Sequence, residues 1–345
     1  MKQRFGRSLP FFAIMAVVFI LVSLLSLSVG QVDIPFEKIL AAFCQQAGLP
    51  YLTGVPVSPE QQAVLWHIRL PRTLVGLLVG AGLAISGAVM QGIFSNPLAD
   101  PGIVGVSSGA SAGAVIAIGL GLTEISMFYM PLFAFGGALV AVTLTVFLAM
   151  RHRRIPVMTL LLSGVVVGML LGAVTAGILT VLNEQKLQQY LFWTIGGLDY
   201  RRWEHVMLGA VPICCGIGVM LLLARHLNVL VLGEVEAKSV GMRVGFFRLF
   251  LLTLASMTTA TGVCISGNIG FVGLVVPHMM RMLVGPDHRR LLPASVLAGG
   301  AFLVLCDTMG RVIFPPTEIR VGIMTAALGT PYFLYLLRKN KELNR

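Results

Sequence analysis

Long apolar stretches separated by short polar segments dominate the 345-residue chain. A helix needs about 20 apolar residues to cross the roughly 30 Å hydrocarbon core of a bilayer. The pattern therefore predicts an all-α, polytopic membrane protein of about ten transmembrane helices, in one domain over residues 1–345. The eighth stretch is short, and its length is equally typical of a re-entrant or partly buried helix. The predicted spans are residues 10–29, 73–94, 102–122, 127–149, 156–182, 205–224, 249–267, 270–284, 292–311 and 321–337.

Composition and charge agree with a membrane protein and predict its orientation. Hydrophobic residues make up 57% of the chain and charged residues 11%, and the mean hydropathy is +0.89. The net charge of +11 could indicate a nucleic-acid partner, but the basic residues follow the predicted loops. If both termini are cytoplasmic, 17 of the 25 Lys and Arg residues lie inside, as the positive-inside rule requires. We therefore expect a multi-pass membrane protein with both termini in the cytoplasm and no nucleic-acid partner.

The first apolar stretch follows three basic residues, as the core of a signal peptide does. It is long for such a core, and no clear cleavage site precedes Gln31, so we interpret it as a retained span. The five cysteines show no paired spacing, which predicts structural thiols rather than metal ligands or disulfides.

A polar break interrupts the apolar pattern after the second predicted span. Residues 96–102 read Asn-Pro-Leu-Ala-Asp-Pro-Gly, and proline and glycine disrupt helices. Such a break persists in a membrane only where protein or water satisfies the freed backbone groups, which indicates a lined pathway. The triplet Ile85-Ser86-Gly87 recurs as Ile265-Ser266-Gly267 on a span predicted to run in the opposite direction. This weak repeat favours an inverted-repeat bundle, a common architecture of transporters.

Two kinds of residue pattern are missing from the sequence, and this limits which source of energy could drive transport. The chain contains no Gly-Lys dipeptide, so it lacks the GxxxxGK[ST] loop that holds nucleotide phosphates. Charges within the predicted spans are nearly absent, with Asp307 the main candidate, whereas ion-coupled transport generally needs intramembrane ionisable groups or helix breaks. We therefore predict that the chain is not an enzyme and that another subunit hydrolyses ATP.

Several sequence blocks resemble the FecCD-type permease family, the membrane subunits of bacterial ABC importers for ferric siderophores, haem and cobalamin. The resemblance covers nearly all of the chain after residue 65. The blocks are Arg-Leu-Pro-Arg at 69–72, Ile-Ser-Gly-Ala-Val-Met-Gln at 85–91, Asn-Pro-Leu-Ala-Asp-Pro at 96–101, Gly-Val-Ser-Ser-Gly-Ala at 105–110, Leu-Gly-Glu-Val-Glu-Ala-Lys-Ser-Val-Gly at 232–241, Gly-Phe-Val-Gly-Leu-Val-Val-Pro-His-Met-Met-Arg at 270–281, Asp307 with Arg311, and Gly-Ile-Met-Thr-Ala at 322–326 followed by Gly329-Thr-Pro331.

The resemblance implies a permease subunit of an ATP-driven importer in the bacterial plasma (inner) membrane that moves an iron chelate, either a ferric siderophore or haem, into the cytoplasm. Cobalamin is the alternative cargo, and an ion-coupled secondary transporter or a sensory membrane subunit is a different class of function. The implied partners are a second copy of the chain, two ATP-binding subunits and a substrate-binding protein. No cofactor is expected on this chain, because ATP would bind to the partner subunits.

The family also implies an ATPase-coupling segment at residues 232–243. Glu234 to Val240 can form two helical turns with Gly241 as the C-terminal cap, and Glu234 and Glu236 favour the positive end of the helix dipole. We assign coupling contacts to Glu234, Glu236, Ala237, Lys238 and Gly241. The alternative is an exposed helix whose charges are only solvated.

Three arginines, Arg69, Arg72 and Arg311, occupy positions where related permeases receive acidic side chains of a binding protein. The planar guanidinium group suits this role because it binds a carboxylate with two parallel hydrogen bonds. The alternatives are anchoring at the membrane interface or, for Arg311, pairing with Asp307 one helical turn earlier.

Polar and small residues near the breaks are the candidates for the translocation pathway, with one methionine as apolar lining. Small residues serve helix packing equally well, so packing is the alternative for each of them. His67 and His278 are isolated, and we assign no metal site. The candidates are Met90, Gln91, Asn96, Ser107, Ser108, Ser266 and Asn268.

Overall fold

The computed structural model describes residues 8–48, 54–150 and 156–343, and within these ranges the chain is helical with no β-strand. The basic segments 2–7 and 151–154 lie outside the described residues. The helices are α1 (Ser8–Ser28), α2 (Phe36–Gln46), α3 (Pro59–Phe94), α4 (Val106–Gly119), α5 (Leu122–Ile125), α6 (Tyr129–Ala149), α7 (Val157–Leu179), α8 (Glu184–Ile195), α9 (Trp203–Leu222), α10 (Ala224–Val231), α11 (Glu234–Ser239), α12 (Val244–Ser266), α13 (Val272–Val284), α14 (His288–Val312) and α15 (Val321–Leu343).

The helices confirm the predicted polytopic bundle. Seven of them, α1, α3, α6, α7, α9, α12 and α14, are long and apolar enough to cross a membrane. Three shorter apolar helices, α4, α13 and α15, coincide with the third, eighth and tenth predicted spans.

Helix α3 begins earlier than predicted, at Pro59 rather than at residue 73. Ser58 caps it, since its hydroxyl accepts the Gln61 backbone N–H and the Gln61 side chain accepts the Ser58 N–H. A π-helical turn over Val64–Arg69 then precedes Pro71. Because Pro71 has no N–H to donate, a carbonyl of this turn is free, and the Trp66 oxygen accepts the indole N–H of Trp203 at 2.9 Å.

The core forms around α3, which packs against α9, α12, α13 and α14. Glycines allow close backbone approach, because a methyl group at Gly87 would overlap the backbone of Gly273 and one at Gly80 would overlap that of Gly299. Small residues at helix interfaces are the usual means of close packing in a bilayer.

The break predicted after the second span is present between α3 and α4. Ser95 ends α3 with a left-handed φ of 48°, and the Asn96 side chain accepts the Leu98 N–H at 2.9 Å. Asp100 accepts the Gly102 N–H at 2.7 Å, and a 3₁₀ turn over Pro101–Val104 leads into α4. The helix of the third predicted span, α4, therefore starts at residue 106 and not at 102.

The bundle has two chemically different ends. At the first, named here the arginine end, the segments 196–202 and 313–320 lie beside Arg72, in the first half of α3. At the second, the coupling end, α10 meets the start of α14, where the Asn228 side chain bonds to Asp287 and His288. Helix α3 runs from the first end to the second, and α12 runs in the opposite direction, so the two Ile-Ser-Gly copies lie on oppositely directed helices.

Candidate functional site

A cavity of about 360 Å³ lies between α4, α7 and the start of the segment after α12. We name it the hydroxyl cavity, because hydroxyl and amide groups supply most of its polar surface. None of the described residues that line it carries a charge. The lining residues are Ser107, Ser108, Ser111, Gly172, Thr175, Ala176, Leu179, Tyr190 and Asn268.

Local hydrogen bonds define what this cavity can offer a ligand. The Ser108 hydroxyl donates to the Gly105 carbonyl at 3.2 Å, and the Thr175 hydroxyl donates to the Leu171 carbonyl at 2.8 Å. With their protons committed to the backbone, these oxygens retain lone pairs that can accept. The cavity can therefore accept hydrogen bonds from a neutral ligand and presents no charge to an ionic one.

The structure brings three of the predicted pathway residues, Ser107, Ser108 and Asn268, into this one cavity. The other four lie elsewhere. Met90 is fully buried in the core, and the Gln91 side chain donates to the Leu274 carbonyl at 3.1 Å. Ser266 is also buried, with its hydroxyl bonded to the Gly262 carbonyl at 2.8 Å.

The pathway role of these four residues stays a prediction. Their observed contacts are those of the packing alternative: Met90, Gln91 and Ser266 pack helices together, and Asn96 shapes the turn after α3. The physical reason is that α3 is surrounded by other helices, so a polar residue near its break faces protein rather than an open route.

A buried ion network occupies the arginine end. Arg72 is 7% exposed and Asp307 is 3% exposed. The guanidinium group binds the Asp307 carboxylate with two hydrogen bonds, from Nε at 2.9 Å and from Nη2 at 2.8 Å. Its third nitrogen donates to Glu318 at 2.8 Å, and Asp199 lies 3.5 Å away.

The other two predicted docking arginines are buried as well. Arg311 lies 3.3 Å from Asp307 and donates to the Ser26 hydroxyl at 2.8 Å. This confirms the alternative prediction of an Arg311–Asp307 pair. Arg69 donates to the carbonyl oxygens of Leu27 and Ser28, each at 2.7 Å, and thereby fixes the end of α1.

Direct docking would require Arg69, Arg72 and Arg311 to be exposed, and all three are buried. The reason is the early start of α3, which places Arg69 and Arg72 well inside a helix rather than at its exposed end. Docking by these three side chains stays a prediction, and their observed contacts are internal.

Sequence reasoning missed the partners that complete this end. Asp199 and Glu318 lie on short segments between helices, and Arg320 pairs with Asp199 at 3.4 Å while its guanidinium carbon lies 4.5 Å from the centre of the Phe192 ring. Together with Arg72 they line an open cavity of about 680 Å³. The only signal in the sequence was the concentration of charge beside Gly196-Gly197, which does not indicate which groups meet.

The coupling segment folds as predicted, as the short helix α11 ending one residue earlier than expected. The Gly241 N–H donates to the Lys238 carbonyl and the Met242 N–H to the Ala237 carbonyl, which is the Schellman arrangement at a helix end. Gly241 has φ +80°, where a side chain would be strained.

The surface of α11 combines a buried anchor with exposed apolar and charged groups. Ala237 is fully buried, and Lys238 binds Glu234 at 2.6 Å. Val235 is 77% exposed and Val240 is 70% exposed. An exposed apolar pair beside a charged pair, on a short helix held by one buried residue, is a surface that a protein partner can cover.

Among the described residues no group of three or more His, Cys, Asp or Glu side chains is arranged to hold a metal ion.

Comparisons with known proteins agree on one family. The sequence model of the FecCD transport family matches residues 18–339. The chain is 48% identical to the cobalamin import system permease protein BtuC of Halobacterium salinarum, over 84% of this chain and 76% of that protein. It is 40% identical to the hemin transport system permease protein HmuU of Yersinia pestis, over 81% and 85% of the two chains. It is 36% identical to the vitamin B12 import system permease protein BtuC of Escherichia coli, over 98% of each.

A solved structure gives the same answer for the fold. It is described as an inward-facing conformation of a chain assigned to the metal-chelate type of ABC transporter, and it superposes with a TM-score of 0.83. The two chains are 32% identical, and the match covers 98% of this chain and 99% of the other. This protein is a member of the FecCD transport family.

Proposed function

We propose that this chain is the permease subunit of an ATP-driven importer for a bulky metal chelate, with cobalamin as the preferred cargo. The observation that carries the choice of cargo is the uncharged wall of the hydroxyl cavity. Cobalamin carries a ring of amide groups, which donate hydrogen bonds to hydroxyl and amide oxygens. Two of the relatives are named as cobalamin or vitamin B12 permeases, which supports the same choice.

An iron chelate is the second candidate, supported by the similarity to a hemin permease. Haem carries two propionate groups, and an anion that enters a cavity without charge loses hydration that nothing there replaces. We therefore expect haem and anionic ferric siderophores to be transported more slowly than cobalamin.

The chain is proposed to work as a homodimer with the route between the two copies. Helix α7 supports this because it lines the hydroxyl cavity with Thr175 and exposes an apolar stripe beside it. A second copy placed on this stripe would set two hydroxyl cavities next to each other. The stripe consists of Met158, Leu162, Val166, Met169 and Leu170.

The ATP-binding subunits are proposed to dock on α11, and this helix is proposed to lie in the cytoplasm. The positive-inside rule supports that orientation, since the predicted loops of the coupling end hold most of the Lys and Arg residues. The substrate-binding protein then meets the arginine end. There the buried network of Arg72, Asp307 and Glu318 would stabilise the surface that contacts the binding protein.

Reconstitution tests the proposal directly. The permease is placed in liposomes with its ATP-binding subunit and binding protein, and uptake of labelled cobalamin, haem and a ferric siderophore is measured with and without ATP. ATP-dependent uptake that is fastest for cobalamin is expected. Uptake by the permease alone under an ion gradient would instead identify a secondary transporter, and ATPase assembly without any uptake would identify a sensory subunit.

The coupling surface has its own matched pair of variants. Val235→Glu places a charge on the exposed apolar surface of α11 and is expected to reduce co-purification of the ATP-binding subunit. Val181→Glu makes the same change at an equally exposed valine of the opposite end and is expected to leave it unchanged. Equal effects of the two substitutions would remove α11 as the docking site.

A further inference from the structure

An apolar groove of about 420 Å³ runs along the outside of the bundle between α6 and α9. It lies near the arginine end, since α6 and α9 begin there and α12 ends there. Leu132, on one wall, is 61% exposed, so the groove opens away from the protein. The lining residues are Phe128, Pro131, Leu132, Phe135, Leu208, Pro212, Thr261, Cys264 and Ile265.

A second cavity of about 390 Å³ continues from this groove toward the arginine end. The two share Pro131 and Cys264, which makes them adjoining parts of one depression. Each of its polar residues can donate a hydrogen bond, and no carboxylate is found among the described residues that line it. These polar residues are Thr123, Gln189, Trp193, Tyr200, Arg201, Arg202 and His205.

Two buried donors in this second cavity have no acceptor. Trp193 is 5% exposed, and its indole N–H has no hydrogen-bond partner. The Nε of Arg201 is likewise buried and without a partner. Eleven buried side-chain polar atoms of the described chain lack a partner, and these two are donors that belong to residues lining the same cavity, where an acceptor from outside the chain can reach them.

Arg201 is also a cation without a close counter-ion. Its Nη1 lies 3.3 Å from His205, its Nη2 donates to the Gly197 carbonyl at 3.4 Å, and it forms no ion pair with a carboxylate of the described chain. Asp199, the nearby acid, is bound by Arg72 and Arg320 instead. Burial lowers the pKa of Arg201 to about 10, with Asp199 opposing, so the group is still charged at neutral pH.

We propose that this depression binds one anionic phospholipid. Its phosphate accepts hydrogen bonds from Arg201, Arg202 and Trp193, and one acyl chain lies in the groove between α6 and α9. The charge complementarity favours an anion, and the apolar groove that continues from the cationic cavity along membrane-spanning helices favours a lipid over a free anion. Bound there, the lipid satisfies the two buried donors and covers the apolar groove.

Native mass spectrometry of the purified full-length permease tests this with palmitoyl-oleoyl phosphatidylglycerol as the probe. One saturable high-affinity site is expected for this lipid and a weaker one for phosphatidylcholine. Arg201→Gln with Arg202→Gln should weaken phosphatidylglycerol binding about 25-fold, because each basic side chain near an anionic headgroup contributes about fivefold. Leu208→Trp fills the groove and should also weaken binding, while inorganic phosphate should not compete.

The control is Arg225→Gln with Arg243→Gln, which removes two exposed arginines at the coupling end and should leave lipid affinity unchanged. If the Arg201 variant fails to assemble, Arg202→Gln alone carries the test, since that residue is exposed; a loss of about fivefold is expected. Three results would overturn the proposal: equal affinity for both lipids, wild-type affinity in the variants of Arg201 and Arg202, or displacement of the lipid by inorganic phosphate.

Discussion

Two neighbouring glycines of α6 provide a sharp test of how the bundle packs. Gly137 faces α4, and a methyl group there would overlap the Gly109 carbonyl and approach the Gly113 nitrogen to 3.0 Å. Gly136, the preceding residue, has nothing within 4 Å of the position a methyl group would take. Alanine favours a helix by about 1 kcal/mol over glycine in both cases. The two substitutions therefore differ mainly in what the added methyl group meets.

At Gly137 the obstructing atoms belong to a backbone, so α4 and α6 must separate rather than one side chain rotate. Overpacking of this kind typically destabilises by about 1–3 kcal/mol. After the helix-propensity gain, Gly137→Ala should lose up to about 2 kcal/mol, whereas Gly136→Ala should gain up to about 1 kcal/mol. We expect a gap of about 1–3 kcal/mol between the variants, obtained from the midpoints of unfolding of purified permease in mixed micelles at increasing denaturing-detergent fraction. Indistinguishable midpoints would refute the close α4–α6 contact.

Further predictions concern the charged groups at the two ends. Arg72→Gln removes the bidentate partner of Asp307 and should destabilise the permease by about 3 kcal/mol in the same assay, since breaking a buried ion pair leaves an under-compensated charge; a loss below about 1 kcal/mol would contradict the network. Asp287 caps α14, and although burial raises its pKa, hydrogen bonds from Asn228 and Arg289 hold the pKa below the ordinary 3.8. A carboxyl group whose pKa is lower in the folded than in the unfolded protein stabilises the fold when it is ionised, above about pH 4. This stabilisation is lost as the pH falls through the pKa of the folded state. Asp287→Ala should therefore cost about 1 kcal/mol at pH 7, and the difference from the wild type should shrink as the pH falls below the ordinary pKa of 3.8; a constant difference would exclude the carboxylate as its source.

The positions of the spans could be predicted from the sequence because bilayer thickness sets a length for apolar runs, and that length is a local property. The start of α3 could not be predicted this way. Residues 59–72 are mixed in polarity, and a helix does not need an apolar composition to continue. A local signal was nevertheless present, since Ser58-Pro59-Glu60-Gln61 contains a capping box with proline at the first helical position.

The sequence predicted those residues of the hydroxyl cavity that are polar and lie next to a helix break. Ser107, Ser108 and Asn268 meet because helix breaks before α4 and after α12 bring short polar segments together. The same criterion selected Gln91, which faces protein, because the direction a side chain takes on a fully surrounded helix depends on its neighbours. Arg72 shows the limit most clearly, since its partners Asp199 and Glu318 come from segments far apart in the chain.

The length of α3 reconciles the predicted span with the buried arginines. Its 36 residues extend about 54 Å, well beyond the roughly 30 Å hydrocarbon core. Residues 73–94, the stretch selected by hydropathy, extend about 33 Å, which is one membrane crossing. Residues 73–94 are therefore long enough for one crossing by themselves, and residues 59–72 of α3 precede them at the arginine end. Arg72 stands where the crossing begins, and this explains why its charge is buried by carboxylates of the surrounding segments rather than presented to a partner.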